Sequence, residues 1–338
     1  MSALRTLLAR LDPYMLLLLS MVGLGIVLPA RGEAAEWAET AVHGAVALLF
    51  FLYGARLAPA AIWAGIAHWR LQSLVFASTF ILFPIIGLGA YWLARPWLPP
   101  DIALGLLFLT LLPSTVQSSI AFTGIARGNV PAALCSASLS NLLGVAITPL
   151  LVAVLFPKAS GGGISAHAFI DIAAQLLLPF FAGQIARPFI GGWLLRHKQL
   201  TSMVDRGSIL LVVYAAFSAG MVAGIWSQLD VADLAGVLVA ASIILAIVIV
   251  ATTFASRALG FPIEDEIAIV FCGSKKSMAS GIPMATILFP GHGVGMIVLP
   301  LMIFHQVQLF VCAVLARRYA ARDVDVRGRQ DSAAVVSG

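Results

Sequence analysis

Two adjacent lysines, Lys275 and Lys276, stand in an otherwise apolar stretch, FCGSKKSMASGIPMATILF. Carrying one cation to the centre of a membrane helix costs at least about 2.5–3.5 kcal/mol even on the mild insertion scale. Groups that expensive point to work on ions or anionic ligands. Ser274, Ser277 and Ser280 surround them with hydroxyls. A second polar cluster, Ser114, Thr115, Gln117, Ser118 and Ser119, directly follows Pro113. Proline in a helix removes a donor and clashes with the preceding turn, which frees carbonyls. At membrane depth freed carbonyls persist only against protein or a wet cavity. Hydroxyl, amide and carbonyl oxygens together suit a hard cation. Small size at a packed interface accounts equally well for any single serine. Clustering around a break, repeated in two places, favours a site.

The elements that must position these groups are membrane helices. The chain has 338 residues, 61% hydrophobic and only 10% charged, with a mean hydropathy of +1.01; soluble domains carry about 25% charged residues. Apolar runs of about 20 residues predict an all-α polytopic membrane protein with ten spans: 13–30, 40–57, 71–94, 102–127, 131–155, 166–188, 204–226, 232–255, 264–289 and 294–318. A short piece at 60–69 falls between the second and third. The first run exceeds the apolar core of a signal peptide, so it is expected to be retained. Cys135, Cys272 and Cys312 lie far apart in apolar segments without metal spacing, as small packed hydrophobes do.

The basic residues agree with this count. With the N-terminus inside, fifteen of the 20 Lys and Arg fall on the cytoplasmic side, three (Arg31, Arg95, Lys158) outside, and two are the intramembrane lysines. Such asymmetry follows the positive-inside rule. The pI of about 9.4 is then topogenic and no nucleic acid partner is implied. A bacterial inner membrane with both termini cytoplasmic is expected, lipid being the surrounding partner. The polar end, 322–338, should be a disordered cytoplasmic tail.

Spans four and five share a plan with spans nine and ten: an apolar half-helix, small hydroxyl residues with Gly or Pro, a second apolar half, a turn with Gly, then a long helix. Five is odd, so the second half (161–321) enters the membrane opposite to the first (1–160). That is the inverted repeat of secondary transporters, whose sites form at interrupted helices near the midplane. Lys275 lies about 11 residues, or about 16 Å, into its span, near half of a core of about 30 Å; Pro113 and Ser114 reach a similar depth. Asp171, with Gln175 one turn along the same face, is read as the other intramembrane ionisable group: a proton-handling or lining residue, or an interfacial carboxylate. His305, with Gln306 and Gln308, adds polarity to span ten, and Asn141 on span five could bond across to the break.

At these residues the chain resembles the bile acid:sodium symporter superfamily, in its bacterial SBF-like branch. FLYGARL (51–57), FPIIG (83–87), PSTVQSSIAFTGIARGNVPAAL (113–134) and GSKKSMASGIPMA (273–285) carry the resemblance over nearly the whole chain. It implies core and panel bundles, with spans four and nine broken and crossing, sodium beside the crossing, and amphipathic organic anions in the cleft. Carried over by position, the sodium ligands fall on Ser118 and Ser119 in the first break and on Thr79 in span three. Ser136, Ser138 and Ser140 are unranked hydroxyl candidates on span five. The departure is in span nine, where the family's glutamate falls on Ser274 and two lysines follow.

A fixed ammonium there would repel sodium, the more so in low dielectric. A lysine could replace the sodium ion, freeing transport from sodium or tying it to protons, because burial works against the charged form of an amine. Alternatively a lysine could pair with the carboxylate or sulfate of the substrate, helped by N–H groups at the half-helix ends. The plain alternative is that the lysines pair with carbonyls or with Asp171 to fix packing. The leading function is therefore a secondary transporter of small or amphipathic organic anions, with sodium or proton coupling open and no other cofactor. A regulatory membrane protein with a degenerate site is a second class. A Ser–Lys hydrolase using Ser274 or Ser277 is a third, weakened because neighbours on a helix do not face each other. The absence of a GxxxxGK[ST] loop excludes an ATP-driven pump. Oligomeric state is not encoded legibly.

Overall fold

A computed structural model describes residues 13–56, 68–160, 166–222, 224, 229–289 and 293–336; the side chains of 13–15, 157–160, 166–175 and 322–336 lie outside the description. Every described element is helical. In chain order they are α1 (Pro13–Val27), α2 (Glu33–Arg56), α3 (Trp69–Ala77), a π-helical turn (Ser78–Leu82), α4 (Phe83–Ala94), α5 (Pro100–Leu111), α6 (Val116–Ile125) and α7 (Val130–Ser160). Then follow α8 (Ala166–Arg196), α9 (Lys198–Val222), α10 (Val231–Ala258), α11 (Ile263–Gly273), α12 (Met278–Leu288) and α13 (Val294–Val336). Among the described residues six helices are long and apolar enough to cross a membrane, and α5 with α6, bent by 62°, makes a seventh if taken as one broken span. The chain is thus all-α and multi-pass.

Boundaries differ from the sequence expectation where local chemistry decides. α2 begins at Glu33, seven residues before the expected start at 40: Gly32 takes a left-handed turn (φ 56°), and Glu33 and Glu36 then complement the positive end of the helix. The short piece expected at 60–69 lies mostly outside the described residues. α13 continues to Val336 as backbone; the polar stretch from Arg322, expected to be disordered, lies beyond the last described side chain, Ala321.

The helices pack as two groups. α1, α2, α8 and α9 associate chiefly with one another, while α3–α7 and α10–α13 form the other set; α9 meets α12 and α13 across the divide, and α8 meets α7 and α12. Within the first group α2 and α8 approach to backbone contact. A Cβ at Gly54 would collide with the Phe180 carbonyl, and one at Gly183 with the Phe51 carbonyl. Membrane helices gain association from such close approach because lipid gives no hydrophobic drive between them. In the second group, the turn between α6 and α7 is tied to the start of α11. Asn129 N–H donates to the Glu264 carbonyl (2.9 Å), and its side-chain amide donates to Asp265 (2.8 Å). Glu266, 2% exposed, is held by both nitrogens of an Arg257 fork (2.8 and 2.9 Å) and by Tyr319 Oη (2.8 Å).

Candidate functional site

The two breaks face each other and close each other's backbone. In the first, Leu112 is extended (φ −77°, ψ 155°), the conformation forced on a residue that precedes proline. Gly144 on α7 makes room for it: a Cβ there would lie 2.5 Å from Pro113 Cβ. The carbonyls at the end of α5 have no intrahelical donors and find them elsewhere. Thr148 Oγ1 donates to Leu111 O (2.8 Å). Ser277 N–H, from the second break, donates to Pro113 O (2.8 Å). Ser114 N–H donates to Ser140 Oγ (3.0 Å). In return Ser119 Oγ, just past the first break, donates to Phe271 O at the end of α11 (3.0 Å), and Ser78 Oγ of the π-turn donates to Gly273 O (2.9 Å). Residues 113–119 and 274–280 therefore touch, as the repeated pattern required.

Lys276 completes the closure. Its Nζ donates to the carbonyls of Thr79 (2.9 Å), Thr110 (2.8 Å) and Leu112 (2.7 Å), and lies 4.0 Å from the centre of the Phe83 ring. Three donors meet three acceptors, in a residue with no exposed surface. Each carbonyl is vacant for a sequence reason. Thr110 and Leu112 end α5 ahead of Pro113. Thr79 sits in the π-turn, where Phe83 N–H bonds to Ser78 O; the next bond in that register would come from residue 84, a proline without an N–H. The ammonium also sits at the negative end of the α5 dipole. From α13, the Gln308 amide grips the Lys276 peptide, accepting from its N–H (2.9 Å) and donating to its carbonyl (3.0 Å).

Lys275 points elsewhere. Its Nζ donates to Ser118 O (2.7 Å) and lies 4.1 Å from the Phe122 ring centre and 5.3 Å from that of Phe271. Of the serines beside the lysines, Ser274 Oγ donates to Val270 O (2.6 Å), while Ser277 caps α12 by accepting from Ser280 N–H (3.3 Å). Neither lysine is bonded to a serine hydroxyl, so the Ser–Lys nucleophile geometry is not formed.

The other expected residues divide. Thr79 offers its carbonyl, its hydroxyl being donated to Val75 O (2.8 Å). Ser118 Oγ reaches Thr115 Oγ1 at 3.5 Å. Ser114 Oγ and Ser280 Oγ are buried without a hydrogen-bond partner. The side chains of Asp171 and Gln175 on α8 lie outside the described residues. Thr115, Gln117, Asn141 and His305 line a cavity of about 430 Å³ between the two helix groups, into which the starts of α6 and α12 also open. His305 Nδ1 is 2.8 Å from the Gln308 amide nitrogen, one side chain away from the lysine peptide. On the far wall stand Tyr53, Arg56, Phe180, Asp205 and Arg206. Arg56 and Asp205 were not expected: Arg56 reads in the sequence as a topogenic charge, and Asp205 stands unremarked beside Arg206 at the start of the expected span 204–226. An acidic residue at the basic end of a span is the signal that could have drawn attention to them.

A model of the SBF-like CPA transporter family matches residues 12–321. An uncharacterized protein of Pseudomonas aeruginosa, PA2026, is 52% identical over 326 residues, 96% of each chain. The "Putative symporter YfeH" of Escherichia coli K12 is 50% identical over 324 residues, covering 96% of this chain and 97% of its own. The rat "Sodium/bile acid cotransporter 7" is 30% identical over 280 residues, 82% of each. Paired broken helices, a polar crossing and a cavity between two helix groups are the parts a transporter needs, and by sequence over nearly its whole length the chain belongs to the SBF-like CPA transporter family.

Proposed function

We propose that this protein is a secondary transporter that moves small or amphipathic organic anions across a bacterial inner membrane by alternating access, with Lys276 standing where a coupling cation would stand. Its ten spans form an inverted five-plus-five repeat, each broken pair (α5 with α6, α11 with α12) counting as one. Both termini are cytoplasmic. α1, α2, α8 and α9 act as a panel that rocks against the remaining core and exposes the intervening cavity to each side in turn. The preferential packing of the helices into these two sets supports that division.

One observation carries the ionic part of the reading. Two positions implied as sodium ligands, Thr79 and Ser118, direct their carbonyl oxygens at Lys276 and Lys275 at 2.9 and 2.7 Å. A covalently attached ammonium supplies the positive charge that balances carbonyl dipoles at the crossing. While charged, it repels a mobile cation in a low dielectric. The starts of α6 and α12 face the cavity, and helix N-termini attract anions. The apolar side chains of Leu142, Val145, Phe180 and Ile209 on the cavity wall suit the body of an amphipathic molecule.

Uptake of organic anions into proteoliposomes tests this directly. With sodium replaced by choline, most of the uptake should persist. Complete dependence on sodium would dismiss the lysine as a cation substitute. Folded protein that carries no anion under any ionic condition would favour a regulatory role.

A further inference from the structure

Gln308 has one more neighbour than its grip on Lys276 requires. Its amide nitrogen, which donates to Lys276 O (3.0 Å), also lies 2.8 Å from Nδ1 of His305, one turn earlier on the same face of α13. His305 is half-buried and lines the cavity. We propose that His305 is the coupling-proton site: neutral, it is latched to the broken-helix crossing through Gln308; protonated, it must leave that latch and pairs with the organic anion in the cavity, so that anion and proton are carried together. This rests on the transporter reading above and supplies the coupling ion which that reading leaves open.

The main chain fixes the direction of each bond. A peptide N–H only donates and a peptide carbonyl only accepts. Gln308 meets both on Lys276, with Oε1 on the N–H (2.9 Å) and Nε2 on the carbonyl (3.0 Å). Turning the amide over would set donor against donor and acceptor against acceptor. Nε2 carries two hydrogens. One serves Lys276 O, and the other is left for His305 Nδ1, which therefore accepts. A neutral imidazole has one donor and one acceptor nitrogen, so the ring proton sits on Nε2. An imidazolium has N–H at both nitrogens, and its Nδ1–H would face the amide N–H of Gln308. Either the amide turns over and gives up the Lys276 peptide, or the ring turns off the amide. The second course sacrifices one bond instead of several, and it presents the new N–H to the cavity.

The surrounding charges make the anion a natural counter-ion for that ring. Of the helices packed on α13, α6 and α12 carry no titratable group. Asp101 on α5 bonds to Gly293 N–H, and Arg257 on α10 bonds to Glu266 beside Tyr319; each lies roughly three to four turns from His305 along α13. Asp233 stands at the opposite end of α10 from Arg257. α9 brings Asp205 and Arg206 to the cavity, the Asp205 carboxylate being forked by Arg56 of α2 (2.7 Å for one bond). Lys275 and Lys276 are turned to main-chain carbonyls. The Asp171 side chain on α8 lies outside the described residues. An anion that favours the imidazolium is, by linkage, bound more tightly by the protonated protein to the same degree. The proton is taken from water at Nδ1 while Nε2 keeps its own. It returns to water on the other side of the membrane when the ring latches again.

Nitrogen NMR of the histidine and glutamine side chains in the purified, full-length protein tests the latch. The His305 signals are those absent from His305→Gln or, if that variant folds poorly, from His305→Asn. In the wild type the resting ring should be protonated at Nε2 alone, and on acidification the Gln308 amide should shift together with the ring. A resting Nδ1–H, a ring that gains no proton at any pH at which the protein stays folded, or a Gln308 amide indifferent to the titration overturns the proposal. Coupling is read in proteoliposomes with naphthalene-2-sulfonate, a monoanion at every pH used. With the outside more acidic by about one pH unit, the wild type should concentrate the probe about tenfold inside, the ratio for one proton per anion. His305→Gln should give no accumulation driven by the gradient. Wild-type uptake that ignores the gradient, or gradient-driven accumulation retained by His305→Gln, overturns the proposal and leaves organic-anion transport in place. A latch seen by NMR without uptake of the probe under any gradient supports the proton site and counts against the organic-anion reading.

Discussion

Lys276 and Lys275 are neighbours in sequence, equally without exposed surface, and yet they are held in different ways. Lys276 has every ammonium hydrogen on a main-chain carbonyl, and its peptide is gripped on both sides by Gln308. Lys275 has one carbonyl and two ring faces. The Ser118 carbonyl it uses lies inside α6, where a helical N–H four residues on is available in any case. Thr79, Thr110 and Leu112 have no such donor. The difference teaches that one ammonium is part of the scaffold, a fixed charge on which two broken helices close, while the other can leave its seat without orphaning a carbonyl. Burial alone would have ranked them as equals.

The sharpest way to break this comparison is to change each lysine to methionine, which keeps length and apolar bulk. Lys276→Met leaves three buried carbonyls without donors, and each such group costs about 1–3 kcal/mol. Relief from burying an ion, several kcal/mol, offsets part of this. The geometry nevertheless depends on the ammonium, which hydrogen-bonds the end of α5 and the π-turn at once. Uptake should be abolished and the melting temperature in detergent should fall markedly, while membrane insertion persists. Lys275→Met loses one hydrogen bond and two cation–π contacts, the latter about 0.5–2 kcal/mol each, and is spared the ion's desolvation. It should melt close to wild type while losing most of its uptake. Equal melting of the two variants would remove the distinction between scaffold and movable charge, and wild-type uptake by both would dismiss the lysine mechanism altogether.

How far these roles can be read from the sequence follows from where regular periodicity ends. Pro113 announces the first break, and the run of hydroxyls after it marks the polar crossing, because proline acts through backbone chemistry that any helix shares. The lysines are conspicuous by charge alone. Their directions are not legible: Lys275 and Lys276 lie between α11 and α12, where no helical period assigns a face. The π-turn at Ser78–Leu82 is equally hidden, since STFIL reads as ordinary helix, and only Pro84 two residues on hints that Thr79 O will want a donor. Thr79 was implied as a ligand by resemblance and enters the crossing by its carbonyl. Gln308, seen only as added polarity in the last span, becomes a main-chain partner because α13 passes beside the second break. Arg56 was counted among topogenic charges, and its pairing with Asp205 depends on α2 meeting α9, a contact between elements far apart in the chain.

Gln308 sharpens the comparison at a smaller scale. It stabilises the peptide of Lys276, leaving the ammonium to its own carbonyls. Gln308→Leu leaves one N–H and one C=O of a buried peptide unpaired, a loss of about 1–3 kcal/mol for each group. A reduction in uptake of about tenfold, equivalent to 1.4 kcal/mol, should accompany a melting shift below that of Lys276→Met. Gln308→Glu retains an acceptor for the Lys276 N–H and should fall between the two. A Gln308→Leu protein indistinguishable from wild type in both measurements would show that the peptide finds other partners and that the cage is held by its ammonium alone.

The smallest effect is expected at a hydrogen bond between the two helix groups, made by the Tyr53 hydroxyl. Pro283 inside α12 has no N–H, so the carbonyl four residues earlier, Ala279 O, lacks its helical donor; Tyr53 Oη approaches it at 3.4 Å. At that length the bond is weak, and Tyr53→Phe should change stability by less than about 1 kcal/mol, within the usual net value of a neutral hydrogen bond. Its consequence for transport is more informative than its size. Under the alternating-access proposal, a contact between the two helix groups must break as they rock, so removing it lowers the barrier to leaving this conformation without touching either lysine. Uptake by Tyr53→Phe should therefore equal or exceed the wild-type rate by up to about twofold, the rate effect of a few tenths of a kcal/mol. A strong loss of uptake would instead assign the hydroxyl to ligand binding, and would move the functional centre from the crossing toward the Arg56 wall.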